Sequence, residues 1–395
     1  MRFKYLVGSL LLCGLLSACG GGGGGGGAVS PVPVPAPVPV PIPDQSKLPT
    51  GAALLAAVEQ VRASNSLPGL QVVVVDQSRI ETVSTGKRNV SSAGVVSDAD
   101  QFQIGSLSKA ASAILIARLV EQKKLRWDSS MAEIFPAWSA QMNPSMRTVT
   151  VQQLLRHRAG LQRDIEQVDS AFFNTQLSGD TRAERAMVGK YYLGRPPALT
   201  PDSAYFYSNI GYLIVGLVAE TVTGEAYPSL MQKEVFGPMA MAATFGLPED
   251  AGAGGMSGHI FSANNWQVAP YGAENRLRLG WMYPAGGMMV SMGNYGKYLH
   301  EHLQGLQGKS TLLSQETFKL IHTGVSGYGF GWGVGNDAAH GGAYSAHNGT
   351  IGTYYSSTMI IPATGRAIAV SCNCGGPSAS AAVEKLVTSL AWANP

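Results

Sequence analysis

Phe102-Gln-Ile-Gly105-Ser106-Leu-Ser-Lys109-Ala-Ala-Ser-Ala-Ile-Leu-Ile-Ala-Arg-Leu-Val120 reads as a helix whose first turn carries a serine and, three residues on, a lysine. Positions i and i+3 share a helical face, so the Ser106 hydroxyl and the Lys109 amine can meet. Gly105 allows other backbone to come close, and free amides at a helix start favour developing negative charge. From Ala110 to Val120 the chain is almost wholly apolar. A segment apolar all round is buried, and a buried helix is a rigid mount for a nucleophile with a built-in amine.

Strands are expected on both sides of this helix. Leu70–Asp76 and Ile80–Thr85 read as a hairpin, preceded by an amphipathic helix on Leu54, Val58 and Val61 that ends near Asn65. Late in the chain, Tyr354–Ile361 and Arg366–Cys372 flank the turn Pro362-Ala-Thr-Gly365, and a helix from Ala381 to Trp392 puts Val383, Leu386, Val387 and Leu390 on one face. The middle reads as helices: Val151–His157 behind the capping pair Thr150 and Gln153, then Ile210–Thr221 and Tyr227–Val235. The expected fold is mixed α/β, an antiparallel sheet built from both termini, flanked by helices and interrupted by a helical insertion. Its α/β part would comprise residues 48–130 and 285–395, and its helix-rich part residues 131–284.

Residues 1–47 read as targeting and tether. Arg2 and Lys4 precede an apolar run from Leu6 to Leu16, the pattern of a secretory signal. Leu16-Ser-Ala-Cys19 resembles the bacterial lipobox. That resemblance implies cleavage of residues 1–18, a lipid on Cys19 and, with Gly20 following, outer-membrane sorting facing the periplasm. Residues 19–47 hold an unbroken glycine run, Gly20–Gly27, and a Pro-x repeat from Pro31 to Pro43. Polyproline II reaches about 3.1 Å per residue, so the repeat would span roughly 40 Å as a stalk.

With 395 residues, 45% hydrophobic and a net charge of +3, the chain can bury a large core and shows no basic run suited to nucleic acid. Cys372 and Cys374 are separated by one residue. They read as two buried or half-buried thiols, because so short a disulfide loop is strained, and no second pair exists for a four-cysteine zinc site.

Ser-x-x-Lys alone says little, and a second copy, Ser84-Thr-Gly-Lys87, lies at a strand end where Gly86 argues against a helix. A further element distinguishes Ser106: Tyr207-Ser-Asn209, the single Tyr-x-Asn of the chain, set just before the apolar helix at Ile210. Tyrosine and lysine have ordinary pKa values of about 10 and 10.4, so neither is a base at neutral pH alone. Bringing one there takes about three pKa units, on the order of 4 kcal/mol of environment. The third element is His347-Asn-Gly349-Thr350, read as a strand start where the imidazole could donate to a substrate carbonyl or carboxylate. Gly349 would let substrate lie against the strand. His322 ends a helix-like segment, and His340 has no strand expected directly after it, so His347 is preferred.

In this order, Ser106-Leu-Ser-Lys109, Tyr207-Ser-Asn209 and His347-Asn-Gly349-Thr-Ile-Gly352 resemble the three motifs of the serine β-lactamase and penicillin-binding-protein superfamily. The class C-like branch, which also holds family VIII esterases and D-amino-acid peptidases, is the most similar. Leu154-Leu-Arg-His157-Arg-Ala-Gly160-Leu161, Pro284-Ala-Gly-Gly287 and Tyr328-Gly-Phe-Gly-Trp332-Gly333 extend the likeness. It implies a β-lactamase/transpeptidase-like fold and an acyl-enzyme on Ser106. Lys109 would take the Ser106 proton or keep Tyr207 anionic, and which of the two is the base stays open. Tyr207 would carry the proton to the leaving group and Asn209 would hold Lys109 and substrate. The amides of Ser106 and Thr350 would form the oxyanion hole, and His157 would organise the core. Class C β-lactamases carry Lys-Thr-Gly or Lys-Ser-Gly where this chain has His347-Asn-Gly349. The missing cation argues against a carboxylate-bearing β-lactam or peptide as the main substrate and favours an ester.

The implied partners are thus a small ester, amide or β-lactam and, through Cys19, a membrane; no cofactor or metal is implied. Gly-x-Ser-x-Gly is absent, which argues against an α/β-hydrolase. His300-Glu-His302 lacks the spacing of a zincin motif and reads as a solvated helix face. Trp332 and Phe330 read as core or pocket lining.

Overall fold

The computed structural model describes residues 48–176, 178–251, 255–272, 279–340 and 342–393. The signal and tether expectations, Cys19 included, lie outside them. Among the described residues the main sheet has six strands, each antiparallel to its neighbours. In chain order these are β1 (Gly69–Val75) and β2 (Ile80–Gly86), then β8 (Gly333–Asp337), β9 (Gly342–Thr350), β10 (Tyr355–Ile361) and β11 (Arg366–Cys372). Their spatial order is β2-β1-β11-β10-β9-β8, so the first hairpin pairs directly with the last strand. A second sheet joins β3 (Phe102–Gln103), β4 (Ala243–Phe245) and β7 (Met288–Val290), and β5 (His259–Ser262) and β6 (Asn265–Val268) form a separate hairpin. The sheet drawn from both termini, with helices between, is the arrangement expected.

Every residue of β1 and β11 is buried, because helices cover both faces. Alternation divides them. Val72, Val74, Ile368 and Val370 pack with Leu54 and Val58 of the Gly51–Ser64 helix and with Val383 and Leu386 of the Pro377–Ala391 helix. Val73, Val75, Ala367 and Ala369 face the larger core, which holds the Ser108–Glu121 helix and Tyr295 and Leu299 of the Met292–Leu306 helix. Fully burying one such aliphatic side chain contributes about 1.5–3 kcal/mol.

Several expectations need correction. The helix expected from Ser106 begins at Ser108, and Ser106 itself lies in a preceding 3₁₀ turn, Gly105–Leu107. His347 lies well inside β9 rather than at a strand start, and β9 begins two residues after His340, so the lack of a following strand was no reason to set His340 aside. Cys372 and Cys374 form a disulfide with Cα atoms 5.1 Å apart, not two thiols. Asn373 between them donates to the carbonyls of Lys87, Arg88 and Ser257, so the three-residue loop clamps two distant segments. His302 is buried, not solvated, because Tyr295, Tyr298, Leu299, His302 and Leu303 form one helical stripe against the core. Trp332 and Phe330 are core. The Thr150 capping box is present, but its helix stops at Leu155, and His157 follows with a φ of 55°.

His302 Nδ1 faces His322 Nε2 at 2.8 Å, and His322 Nδ1 faces Ser345 Oγ at 2.8 Å. Burial holds His302 well below the ordinary histidine range, helped by repulsion from His322, and burial brings His322 to about 3. Both pKa values are lower folded than unfolded, so their contribution is fully present above about pH 6.5 and is lost as pH falls toward the folded values. Each histidine so held contributes a slope of about 1.4 kcal/mol per pH unit in that window. Thermal unfolding should give a flat Tm above about pH 7 and a falling one below about pH 6.5. His302→Asn should make the fall shallower, and a Tm indifferent to pH between about 5 and 7 would contradict this account.

Candidate active site

Three segments far apart in sequence meet at the Ser106 turn. The Ser108–Glu121 helix carries Lys109 one residue past its start and buries it completely, at 0% exposure. Lys109 Nζ lies 3.0 Å from Ser106 Oγ, 2.6 Å from Asn209 Oδ1 and 2.6 Å from the Ala285 carbonyl. Tyr207 and Asn209 come from the corner that opens the Asn209–Thr223 helix, where Ser208 is the N-cap and accepts from the Gly211 amide at 2.9 Å. Tyr207 Oη donates to Ser106 Oγ at 2.8 Å. The hydroxyl, amine and phenol expected to converge do so.

The amine fits both of its protonation states. As an ammonium it has three donors for three acceptors. As a neutral amine it can donate to Asn209 and Ala285 and turn its lone pair to the Ser106 hydroxyl. Burial lowers Lys109 to about 7; the Asp164 carboxylate opposes that fall and the Arg163 guanidinium adds to it. Burial pushes the Tyr207 phenol well above its ordinary value, with the hydrogen bond to Ser106 opposing. In the resting site the phenol therefore keeps its proton, and the amine is the group poised to gain or lose one.

β9 forms the opposite wall and touches the serine turn backbone to backbone. A Cβ on Gly349 would sit 2.0 Å from the Ile104 carbonyl and 2.8 Å from the Ser106 nitrogen. Gly105 has a φ of 53°, and a Cβ there would meet the Thr350 nitrogen at 2.4 Å. Both glycines are required for this approach, which presses the Gly349–Thr350 backbone against the Gly105–Ser106 backbone. Thr350 Oγ1 is engaged with the Tyr354 carbonyl at 2.8 Å, which fixes the end of the strand.

His347 stands in this wall with both nitrogens in use. Nδ1 is 2.7 Å from the Asn348 carbonyl, so it carries the proton, and Nε2 accepts from Tyr328 Oη at 2.9 Å. Burial, with the Lys109 charge adding to it, lowers His347 to about 3, against the pull of the Asn348 carbonyl. The ring is therefore neutral and offers no spare donor to a substrate. His157 is buried under Tyr207, ring centroids 4.3 Å apart, and its Nδ1 accepts from the Ser208 amide at 3.0 Å. It organises the corner that presents Tyr207.

Several participants enter with no role assigned to them from the sequence. Buried Gln103 accepts from the Gly105 amide at 2.6 Å and donates to the Gly286 carbonyl at 2.8 Å, tying the serine turn to the segment that supplies Ala285. Ala285 acts through its backbone, which no residue type announces. Tyr328 and Asp164 enter through contacts 19 and 45 residues away in sequence.

The Beta-lactamase family model matches residues 54–391. Penicillin-binding protein 4 of Amycolatopsis lactamdurans is 24% identical over 80% of this chain and 84% of its own length. The unguisins hydrolase ungD of Aspergillus violaceofuscus is 24% identical over 59% of this chain, and the match spans 42% of that protein. Among solved structures, the octameric penicillin-binding protein homologue from Pyrococcus abyssi superposes with a TM-score of 0.68 at 22% identity, over 85% of this chain and 76% of the other. SurE superposes at 0.70 and 23%, over 86% and 75%. At such identities these two structures speak to the fold.

Gly349→Ala tests the wall. The added carbon has nowhere to go, and such overpacking costs about 1–3 kcal/mol or more. The variant should show a lowered Tm and, because the Thr350 amide moves with β9, labelling of Ser106 by a fluorophosphonate slowed by about 10²-fold or more. Retention of both would mean that β9 does not press on the serine turn.

Proposed function

The chain belongs to the Beta-lactamase family of serine hydrolases, and on that footing we propose that it hydrolyses esters through an acyl-enzyme on Ser106. One observation carries this reading: Ser106 Oγ sits between Lys109 Nζ at 3.0 Å and Tyr207 Oη at 2.8 Å. Neutral Lys109 takes the hydroxyl proton as Oγ attacks the carbonyl carbon. The amides of Ser106 and Thr350 receive the oxyanion. As the tetrahedral intermediate collapses, Tyr207 gives its proton to the leaving oxygen, and Lys109 returns a proton to Tyr207. Water then attacks the acyl group by the same route in reverse, and free Ser106 and a carboxylic acid result. Asn209 holds the amine throughout. The rise of Tyr207 and the fall of Lys109 support the amine as first base.

Ester is favoured over β-lactam or D-alanyl peptide because His347 supplies no positive charge to hold a substrate carboxylate. The name of one relative, a penicillin-binding protein, supports β-lactams, and amides with them, as the next classes to try. The lipobox-like Leu16-Ser-Ala-Cys19 supports a lipid anchor in the cell envelope.

A fluorophosphonate probe followed by mass spectrometry should find one adduct, on Ser106, absent from Ser106→Ala. No adduct on the intact chain would leave a non-catalytic envelope binding protein on this fold. Against p-nitrophenyl esters, nitrocefin and D-Ala-D-Ala peptides, kcat/KM should be highest for an ester, and a higher value for nitrocefin or peptide would displace that preference. The base form is the active one, so kcat/KM should rise with pH through a midpoint near 7, the pKa of Lys109. Cys19→Ser should move the protein from the membrane to the soluble fraction, and a protein that stays with the membrane would argue against the anchor.

A further inference from the structure

The loop after Leu161 is tied residue by residue to the corner that carries Tyr207. Ser208 Oγ donates to the Gln162 carbonyl at 2.6 Å, and the Asn209 amide donates to the Arg163 carbonyl at 2.7 Å. Asn209 Nδ2 donates to Asp164 Oδ1 at 2.5 Å. The last contact decides which way the Asn209 side chain faces. A carboxylate only accepts, so Nδ2 must turn to Asp164, and Oδ1 is left for the Lys109 amine. The flipped amide would set oxygen against carboxylate and NH₂ against an ammonium.

Arg163 lies on the solvent side of the same corner. Its guanidinium carbon is 5.0 Å from the centre of the Tyr207 ring, and its Nε is 3.5 Å from Asp164 Oδ2. Both side chains are more than half exposed, at 58% and 56%, so the ion pair itself contributes little stability. The remaining groups around the amine are Ser106, Tyr207, Tyr212 and the Ala285 carbonyl, with His157 and His347 within reach of its charge. The tyrosines are pushed up and the histidines down, so all four rings are neutral near pH 7. The rim pair supplies the permanent charges.

We propose that Asp164 and Arg163 are positioning residues of the proton-transfer apparatus. Asp164 fixes the Asn209 amide so that its oxygen holds the Lys109 amine, and the two opposite charges set the field at that amine. The carboxylate favours its charged form and the guanidinium disfavours it. The inference rests on the reading of Ser106 and Lys109 as nucleophile and base.

The test is the pH dependence of fluorophosphonate labelling of Ser106, which reads nucleophile activation without a known substrate. Asp164→Asn keeps an acceptor for Asn209 and removes the charge, so its midpoint should move down by about half a pH unit. Arg163→Gln should move it up by a similar amount, and about 1 M salt should shrink both shifts. Asp164→Ala also frees the Asn209 amide, and its plateau rate should fall about tenfold below that of Asp164→Asn. A residue that only braced the loop would lower the rate without moving the midpoint in opposite directions for opposite charges. Should Asp164→Ala fail to fold, Asp164→Asn and Arg163→Gln carry the result. Midpoints that stay fixed, or move the same way, overturn the inference while labelled wild type leaves the acyl-enzyme reading standing. Wild type that takes no label overturns both.

Discussion

Taking an ammonium out of water costs several kcal/mol unless its hydrogens and charge are answered. Lys109 is wholly buried, and its answer is three oxygens from three separate parts of the chain: the serine turn, the Asn209 corner and the Ala285 carbonyl. The site depends on this arrangement. Burial pulls the amine into the range where a proton can leave at neutral pH, the three oxygens answer its charged form, and both require the surrounding segments to be held rigidly, since losing one oxygen would strand the amine.

The rest of the architecture supplies that rigidity. The sheet closes the two ends of the chain on each other, β1 against β11, and thereby brings β9 against the serine turn. Gln103 and Ser108 connect the turn to the 285–288 segment, the latter by accepting from the Met288 amide at 3.0 Å. His157, with a left-handed backbone, ends its helix and turns its ring under Tyr207. The Cys372–Cys374 loop braces the far end of β11, where Gly375 packs on the Gly352 carbonyl just past the end of β9. None of these residues reacts, yet each limits how far the hydroxyl, amine and phenol can drift, and drifts of an ångström are costly in catalysis.

Electrostatics divide the site into a neutral interior and a charged rim. Tyr207, Tyr212, His157 and His347 are held neutral by burial. Full charges at Arg163 and Asp164 stand at the solvent edge. The wall position that carries a lysine in class C enzymes here holds a histidine whose nitrogens serve Tyr328 and Asn348. Neither ring nitrogen of that histidine is left free to carry a charge on the wall.

Much of this was legible in the chain. Apolar spacing marked the terminal strands and helices because burial on both faces of a sheet writes itself into residue type, as in Val72 to Val75. Ser106, Lys109, Tyr207 and Asn209 were legible because reactive side chains at fixed spacing are rare enough to notice. His302 was misread because two histidines flanking a glutamate look polar unless the whole helical stripe is counted. The disulfide was misread because loop length alone does not reveal how two strand-end side chains are aimed. The roles of Ala285, Gln103 and Asp164 were not legible, since they act through a carbonyl, an amide pair and a contact across 45 residues. Sequence by itself determined which groups could react, since that is a property of side-chain chemistry. Tertiary structure alone decided which nitrogen is free, which proton is loose and which glycine admits a neighbour, because those depend on distances and burial between segments the chain does not place side by side.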